Sequence, residues 1–301
     1  MIKLNSNTRS SVHWPSGQLL FDFYPQKPYL YNENTFFGYA NIIQENNVKR
    51  KLSNILLIDI GNTSVAIGIG SADNISGAKR ILTNQCTTGV VKKMIKSFAL
   101  KKHISGAVLC SVVPRVNKVW RKEIIDICGV SPIEVGYRLN LGVKIEYPNP
   151  ESIGADRLAD ACGAISRYNP PIIVADFGTA LTFDVISRDS KYIGGVIAPG
   201  LPLMTDYLAE KTALLPRIKL KGQCHKIGRS TISAMLIGAK IGYRGIVREV
   251  TNHLITGLGM KRVKLLATGG YAQWALQGLD MPFELDPELT LYGLLKIYEL
   301  N

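Results

Sequence analysis

One pattern constrains this chain more than any other, and it occurs twice. "NILLIDIGNTSVAIGIG" (Asn54 to Gly70) is an apolar run that stops at Asp59, turns through Gly-Asn-Thr and resumes as alternating apolar and small residues. "PPIIVADFGTALTFDVIS" (170–187) does the same, with Asp176 and Phe-Gly-Thr at the turn. Each reads as strand, tight turn, strand. One such turn is an ordinary hairpin tip, because Asp and Gly favour turns for local reasons. Two copies predict two similarly built halves whose turns face each other across a cleft.

Around the two copies, strands alternate with helices. "GVVKKMIKSFALKK" sets Val90, Val91, Met94, Ile95 and Phe98 at helical spacing. "GAVLCSVVP" reads as a buried strand ended by Pro114, and "RVNKVWRKEIIDICG" as a helix ended by Gly129. "IGADRLADACGAISRY" is helical again. "YIGGVIAPGLPLMTDYLA" predicts a Gly-rich turn leading into a helix, and "STISAMLIGAKIGYRGIVREVTNHL" a long helix. "VKLLATGGYAQWALQ" reads as strand, Gly-Gly turn and helix, and "LTLYGLLKIYEL" as a closing helix. The alternation implies an α/β architecture. The 301 residues suit one large domain or two medium ones, at roughly 150 residues each. Residues 1–53 differ: rich in Tyr, Phe, Asn and Pro and without periodicity, they read as an appended segment, extended or partly disordered.

Composition narrows the function classes. The chain is 46% hydrophobic and 20% charged, enough to bury a core. It holds no run of about 18 uncharged apolar residues, so no membrane span is expected, and its N-terminus is a poor secretory signal. The net charge of +13 is compatible with nucleic acid, an acidic membrane or a small anionic substrate such as a nucleotide, and equally with no specific anion partner. Without a dense Lys/Arg block or a recognition motif, it is a weak argument for nucleic acid. Cys86, Cys110, Cys128, Cys162 and Cys224 show no CxxC pair and no disulfide spacing, which fits a reducing cytoplasm and no structural zinc.

The paired turns carry the chemistry. Gly61 and Gly178 are read as allowing backbone conformations closed to other residues and a close approach by a ligand. Backbone N–H groups there, with Asn62, Thr63 and Thr179 beside them, could cradle phosphate oxygens. Asp59 and Asp176 would repel phosphate unless a cation lies between, which makes a Mg²⁺–nucleotide complex the economical reading. "TGG" (Thr268 to Gly270) and "GGVIAPG" (Gly194 to Gly200) are shorter signals, equally at home in tight connections. "GADR" (Gly154 to Arg157) places a carboxylate and a guanidinium at a helix start, pointing in different directions. Asp156 could serve as general base and Arg157 as an anchor for a substrate carboxylate. The plainer alternative is a dipole-favoured Asp beside a surface Arg.

"DIGNT", "GADR", "DFGTA", "GGVIAPG" and "TGG", in this order, resemble the type III pantothenate kinases of the acetate/sugar kinase, Hsp70 and actin superfamily. The resemblance covers residues 54 to about 300. It implies an α/β fold of two ribonuclease-H-like domains related by duplication, 54–169 and 170–301, with ATP in the cleft between them. It implies phosphoryl transfer from ATP to the terminal hydroxyl of pantothenate, the first step toward coenzyme A. The family's phosphate-binding turn falls on Asp59, Ile60, Gly61, Asn62, Thr63, Ser64, Val65 and Ala66, with Thr179 also at ATP. The family's proton acceptor falls on Asp156. Pantothenate contacts fall on Gly154, Ala155, Asp156 and Arg157, with Tyr147 upstream and Thr231 at the start of the later long helix. Asp176 would hold a monovalent cation, K⁺ or NH₄⁺, besides the Mg²⁺ of the nucleotide. Members are typically homodimers whose pantothenate site borrows from the partner subunit. The competing readings are another small-molecule kinase of the superfamily and a regulatory protein of the Bvg accessory factor type. The latter predicts loss of the catalytic carboxylates, yet Asp59, Asp156 and Asp176 are all present. Two features depart from the family: residues 1–53 have no counterpart, and Phe177 stands where a smaller residue is usual, a position expected to pack into the core.

Overall fold

The computed structural model describes residues 54–220, 226–259 and 262–301. These fall within one compact unit. The segment 1–53 and Cys224 lie outside the described residues.

The first turn joins β1 (Asn54–Ile60) to β2 (Ser64–Ser71), and β3 (Asn74–Leu82) completes an antiparallel trio. β4 (Ile104–Ser111) and β5 (Ile133–Glu134) add parallel strands, giving the order β3-β2-β1-β4-β5. The second turn starts the same construction. β7 (Ile172–Phe177), β8 (Ala180–Ile186) and β9 (Lys191–Pro199) form the antiparallel trio, and β10 (Lys264–Thr268) and β11 (Phe283–Leu285) the parallel pair. The order β9-β8-β7-β10-β11 repeats the first sheet, and β6 (Lys144–Ile145) is added beside β9. The duplicated turn is therefore the start of a duplicated sheet.

Alternation along the central strands explains why they are apolar throughout. Successive side chains point to opposite faces, and both faces are covered. Leu56, Ile58 and Ile60 pack outward against α1 (Thr88–Ala99) and α2 (Pro114–Cys128), through Val91, Ile95, Trp120 and Ile124. The left-handed Gly129 ends α2, as the sequence predicts. On the second sheet Ile173, Ala175 and Phe177 meet α4 (Leu201–Lys211), α6 (Tyr243–Leu258) and α7 (Ala272–Leu276). Phe177 is fully buried, edge-on to Tyr243 and Phe283, so the larger side chain is absorbed by the core. The expected long helix is α5 (Thr231–Ile237) running through a π-helical turn, Gly238–Gly242, into α6. Each fully buried Leu, Ile, Val or Phe among these contributes about 1.5–3 kcal/mol by leaving water.

The inward faces share one core. Ile55 and Leu57 from β1 and Ile172 and Val174 from β7 pack with α3 (Ala155–Arg167) and α8 (Leu289–Leu300). α3 and α8 lie against each other so closely that a Cβ on Gly293 would overlap the Ala159 carbonyl. α8 packs on β1, β2 and β4 of the first sheet, and α3 touches β4 of the first sheet and β7 and β8 of the second, so α3 is shared between the sheets. Continuing the inward series by two residues gives Asp59 on β1 and Asp176 on β7.

The expectation of a Gly-rich turn at "GGVIAPG" is corrected. Gly194 to Pro199 belong to β9, and Gly200 caps the helix that follows. The glycines serve close packing instead: a Cβ on Gly195 would overlap the Phe183 carbonyl and stand 2.9 Å from Arg157 Nη2.

Candidate active site

Each turn is braced by short hydrogen bonds. In the first, Gly61 N donates to Ser64 O (3.0 Å), Thr83 Oγ1 to Gly61 O (2.7 Å) and Thr83 N to Thr63 O (2.9 Å). In the second, Gly178 N donates to Ala180 O (3.1 Å) and Tyr271 N to Phe177 O (3.1 Å). Neither Gly61 nor Gly178 has a positive φ. The expectation of a backbone closed to other residues therefore fails; the glycines instead leave the cavity wall bare of side chain. The turns touch, with Thr63 Oγ1 and Thr179 Oγ1 2.8 Å apart.

Below them lies a cavity of about 670 Å³. Asp59, Asp156 and Asp176 all line it, with Arg80, Thr182, Gly269 and Tyr271 among their neighbours. The strands deliver two carboxylates at their C-terminal ends, and α3 delivers the third from its first turn. Asp156 Oδ1 accepts from the Arg157 N–H (2.8 Å), which fixes the side chain at the helix start. Burial pushes Asp59 up to about 7, aided by the charge of Asp156 and opposed by Arg80. Buried Cys110 occupies the paired position on β4. Burial likewise pushes Asp176 up to about 7, with Asp156 and Asp59 adding repulsion. Asp156 is raised too, chiefly by burial, while the Arg157 backbone N–H and charge hold it back. One turn along α3, buried Asp160 accepts from Thr290 Oγ1 (2.6 Å), and desolvation raises it well above the usual carboxylate range. A cluster of acids that resist ionising together is suited to cations and to proton transfer.

Arg157 leaves α3 in the other direction, as expected of its neighbour's position. Its Nε donates to buried Asp184 Oδ1 (2.8 Å), and its guanidinium stands over the Tyr192 ring. Tyr192 OH donates to the same oxygen (2.7 Å), and Tyr147 meets the Tyr192 ring edge-on at 6.3 Å. Tyr147 also covers Gly194.

The structure thus gathers Asp59, Gly61, Asn62, Thr63, Ser64, Ala66, Thr179, Asp156 and Asp176 on one cavity wall. Ile60 and Val65, which the resemblance placed at ATP, are buried in the outer core. Gly154 caps α3 and Ala155 is its first residue, next to Asp156. Tyr147 and Arg157 form a separate cluster on β9, and Thr231 is exposed at the start of α5. Sequence reading missed Arg80, Asp160 and Asp184. For Asp184 a signal existed, a charge inside the apolar run "LTFDVI"; for Arg80 there was none.

Comparison with known proteins agrees with this geometry. The family model described as type III pantothenate kinase matches residues 55–253. A type III pantothenate kinase of Akkermansia muciniphila is 41% identical over 239 residues, covering 79% of this chain and 96% of that protein. One from Dehalococcoides mccartyi is 36% identical over 259 residues, covering 82% and 98%. A crystal structure from Campylobacter jejuni described as a Baf family transcriptional activator shares the fold, with a TM-score of 0.52 at 20% identity over 81% of this chain and 97% of that one. The chain belongs to the type III pantothenate kinase family.

Proposed function

We propose that the cavity is where ATP and pantothenate meet, and that Asp156 is the base of the reaction. This pantothenate kinase transfers the γ-phosphoryl group of ATP to the hydroxyl of pantothenate, giving 4'-phosphopantothenate, the first step of coenzyme A biosynthesis. The hydroxyl oxygen forms a bond to the γ-phosphorus as the bond to the bridging oxygen of ADP breaks, and the hydroxyl proton passes to the Asp156 carboxylate. Burial raises Asp156, which brings its basicity closer to neutral pH, where a general base works best. The observation that carries this reading is the position of Asp156 between two turns that bring hydroxyls and carboxylates to one cavity.

The turn from Asp59 to Ala66 and Thr179 would hold the phosphates. Phosphoryl transfer needs positioning and charge neutralisation more than covalent chemistry by the protein. The donors on the wall are oxygens, which suit Mg²⁺ and K⁺. Among the described residues, no three His, Cys, Asp or Glu side chains are grouped closely enough to hold a metal alone. Asp59 would hold Mg²⁺ together with phosphate oxygens, and Asp176 a monovalent cation. Bound there, these cations supply charge neutralisation for the phosphates and relieve the repulsion among the acids.

Arg157, held by Asp184, would present its outer edge to the pantothenate carboxylate, with Gly154, Ala155 and Tyr147 beside it. Thr231 is exposed and off the cavity wall, which supports a homodimer in which it reaches the pantothenate of a second copy. Exposed Ile197, Leu203, Tyr207 and Ile232 on β9, α4 and α5 offer apolar surface for that contact. In chain order the two domains divide as 54–169 and 170–301, with β6 and α8 each packed across the division. Free Cys86, Cys110, Cys128 and Cys162 support a cytoplasmic location.

The test is ATP-dependent phosphorylation of pantothenate with Mg²⁺, in K⁺ and in Na⁺ buffers. Turnover that needs Mg²⁺ and rises with K⁺ supports the assignment. Turnover indifferent to the monovalent cation would remove Asp176 from its role.

A further inference from the structure

A single row of residues crosses the first sheet. Asp59 on β1 pairs with Ala66 on β2, and Ala66 pairs with Arg80 on β3. Residues in register across a sheet point to the same face. All three line the cavity. Asp59 and Arg80 are therefore two strand spacings apart, about 10 Å, with only the methyl group of Ala66 between them. The row is a trough with a carboxylate at one end, a guanidinium at the other and a small apolar floor.

The guanidinium has no other use. Arg80 is exposed and makes no hydrogen bond or ion pair among the described residues. The neighbouring cation on the wall, Lys79, donates to Ser97 Oγ (3.1 Å) and stands over the Phe98 ring. Lys79 is thus committed to α1, and Arg80 is left as the cation addressed to the cavity. Its charge already favours the ionised forms of Asp59 and Asp176, so its field reaches both sides of the site.

We infer that Arg80 is a ligand of the ATP phosphate chain, reaching over Ala66 to oxygens that the first turn holds beside Asp59. The inference rests on the reading of that turn as the phosphate site. A planar guanidinium offers two parallel donors to phosphate oxygens, which an ammonium does not reproduce. In this wall of three acids it supplies positive charge that stays when the cations leave with the nucleotide.

The experiment measures binding of ATP and of adenosine, both with Mg²⁺, to the full chain and to its R80A, R80K and T63V variants. It also measures turnover with pantothenate. R80A is expected to weaken ATP binding at least about 10-fold and leave adenosine within about 2-fold, because a charged hydrogen bond to phosphate is lost and no base contact is. Turnover should fall about 100-fold, with part of it restored in R80K. Equal losses for ATP and adenosine, or no loss for either, would overturn the inference. If T63V loses ATP and R80A does not, the turn is the phosphate site and Arg80 is not its ligand. If R80A loses ATP and T63V does not, Arg80 stands and the assignment of the turn fails.

Discussion

Thr63 and Thr179, 116 positions apart in the chain, hold their hydroxyls 2.8 Å from each other at the mouth of the cavity. Each belongs to one copy of the duplicated turn, so this contact is where the two sheets meet over the site. If phosphates bind between the turns as proposed, they must take over these hydroxyls. Thr179→Val should therefore raise the KM for ATP about 10-fold while costing only about 0.5–1.5 kcal/mol of stability, as expected for a single neutral hydrogen bond. Steady-state kinetics and urea unfolding measure both. A large stability loss without a KM effect would make the pair a structural clasp.

Asp156→Asn keeps an oxygen for the Arg157 N–H and removes the proposed base. The variant should melt near the parent temperature and lose about 10²–10⁴-fold in kcat, the usual contribution of general base catalysis. Near-normal turnover would assign the proton to another group.

The acid cluster makes stability depend on pH with a defined sign. Asp59 and Asp176 rise from 3.8 to about 7 in the folded chain. Between those values the native state binds more protons than the unfolded one, so stability falls as pH rises. The cation-free protein should melt at a lower temperature at pH 8 than at pH 6, and Mg²⁺ should narrow the gap. Scanning calorimetry across that range checks it, and equal melting temperatures at pH 6 and pH 8 would contradict the burial of both charges.

Asp184→Asn removes the anion from a buried pair and leaves the Arg157 charge uncompensated. The expected cost is about 3–5 kcal/mol. In variant protein that still folds at low temperature, the KM for pantothenate should rise while that for ATP changes little. A parallel rise in both would place Arg157 in the shared scaffold only.

Gly195→Ala puts a methyl group into the Phe183 carbonyl and against Arg157. Overpacking of this kind costs about 1–3 kcal/mol even where side chains can shift, and here the obstacle is backbone. Thermal unfolding should show a loss at the top of that range, and an unperturbed melt would mean β9 has room to move.

The sequence made the duplication legible because an acid at the end of an apolar strand violates the pattern that surrounds it. Asp59 and Asp176 are legible that way, whereas Asp156 is read from its place beside Arg157 at a helix start. The glycines of "GGVIAPG" misled because their turn propensity is local, whereas the need that placed them in β9 is the approach of Phe183 and Arg157 from other elements. Arg80 was invisible because a basic residue near the end of an exposed edge strand is ordinary, and only the register through Ala66 aims it at the cavity. Ile60 and Val65 fall inside a binding motif by position yet belong to the core by alternation. The partnership of Arg157 with Asp184 depends on β8 passing beneath α3, a contact between elements that no local pattern encodes.

The packing of α8 on the first sheet has a consequence for biosynthesis. β1 leaves the ribosome roughly 230 residues before α8 does. Until then Ile55 and Leu57 lack the cover that closes their inward side. The first sheet must wait, half clothed, for the second to be translated, and the nascent chain carries that exposed apolar face through most of its synthesis. A chaperone that binds such surfaces therefore has its longest opportunity on this protein before the catalytic cleft exists.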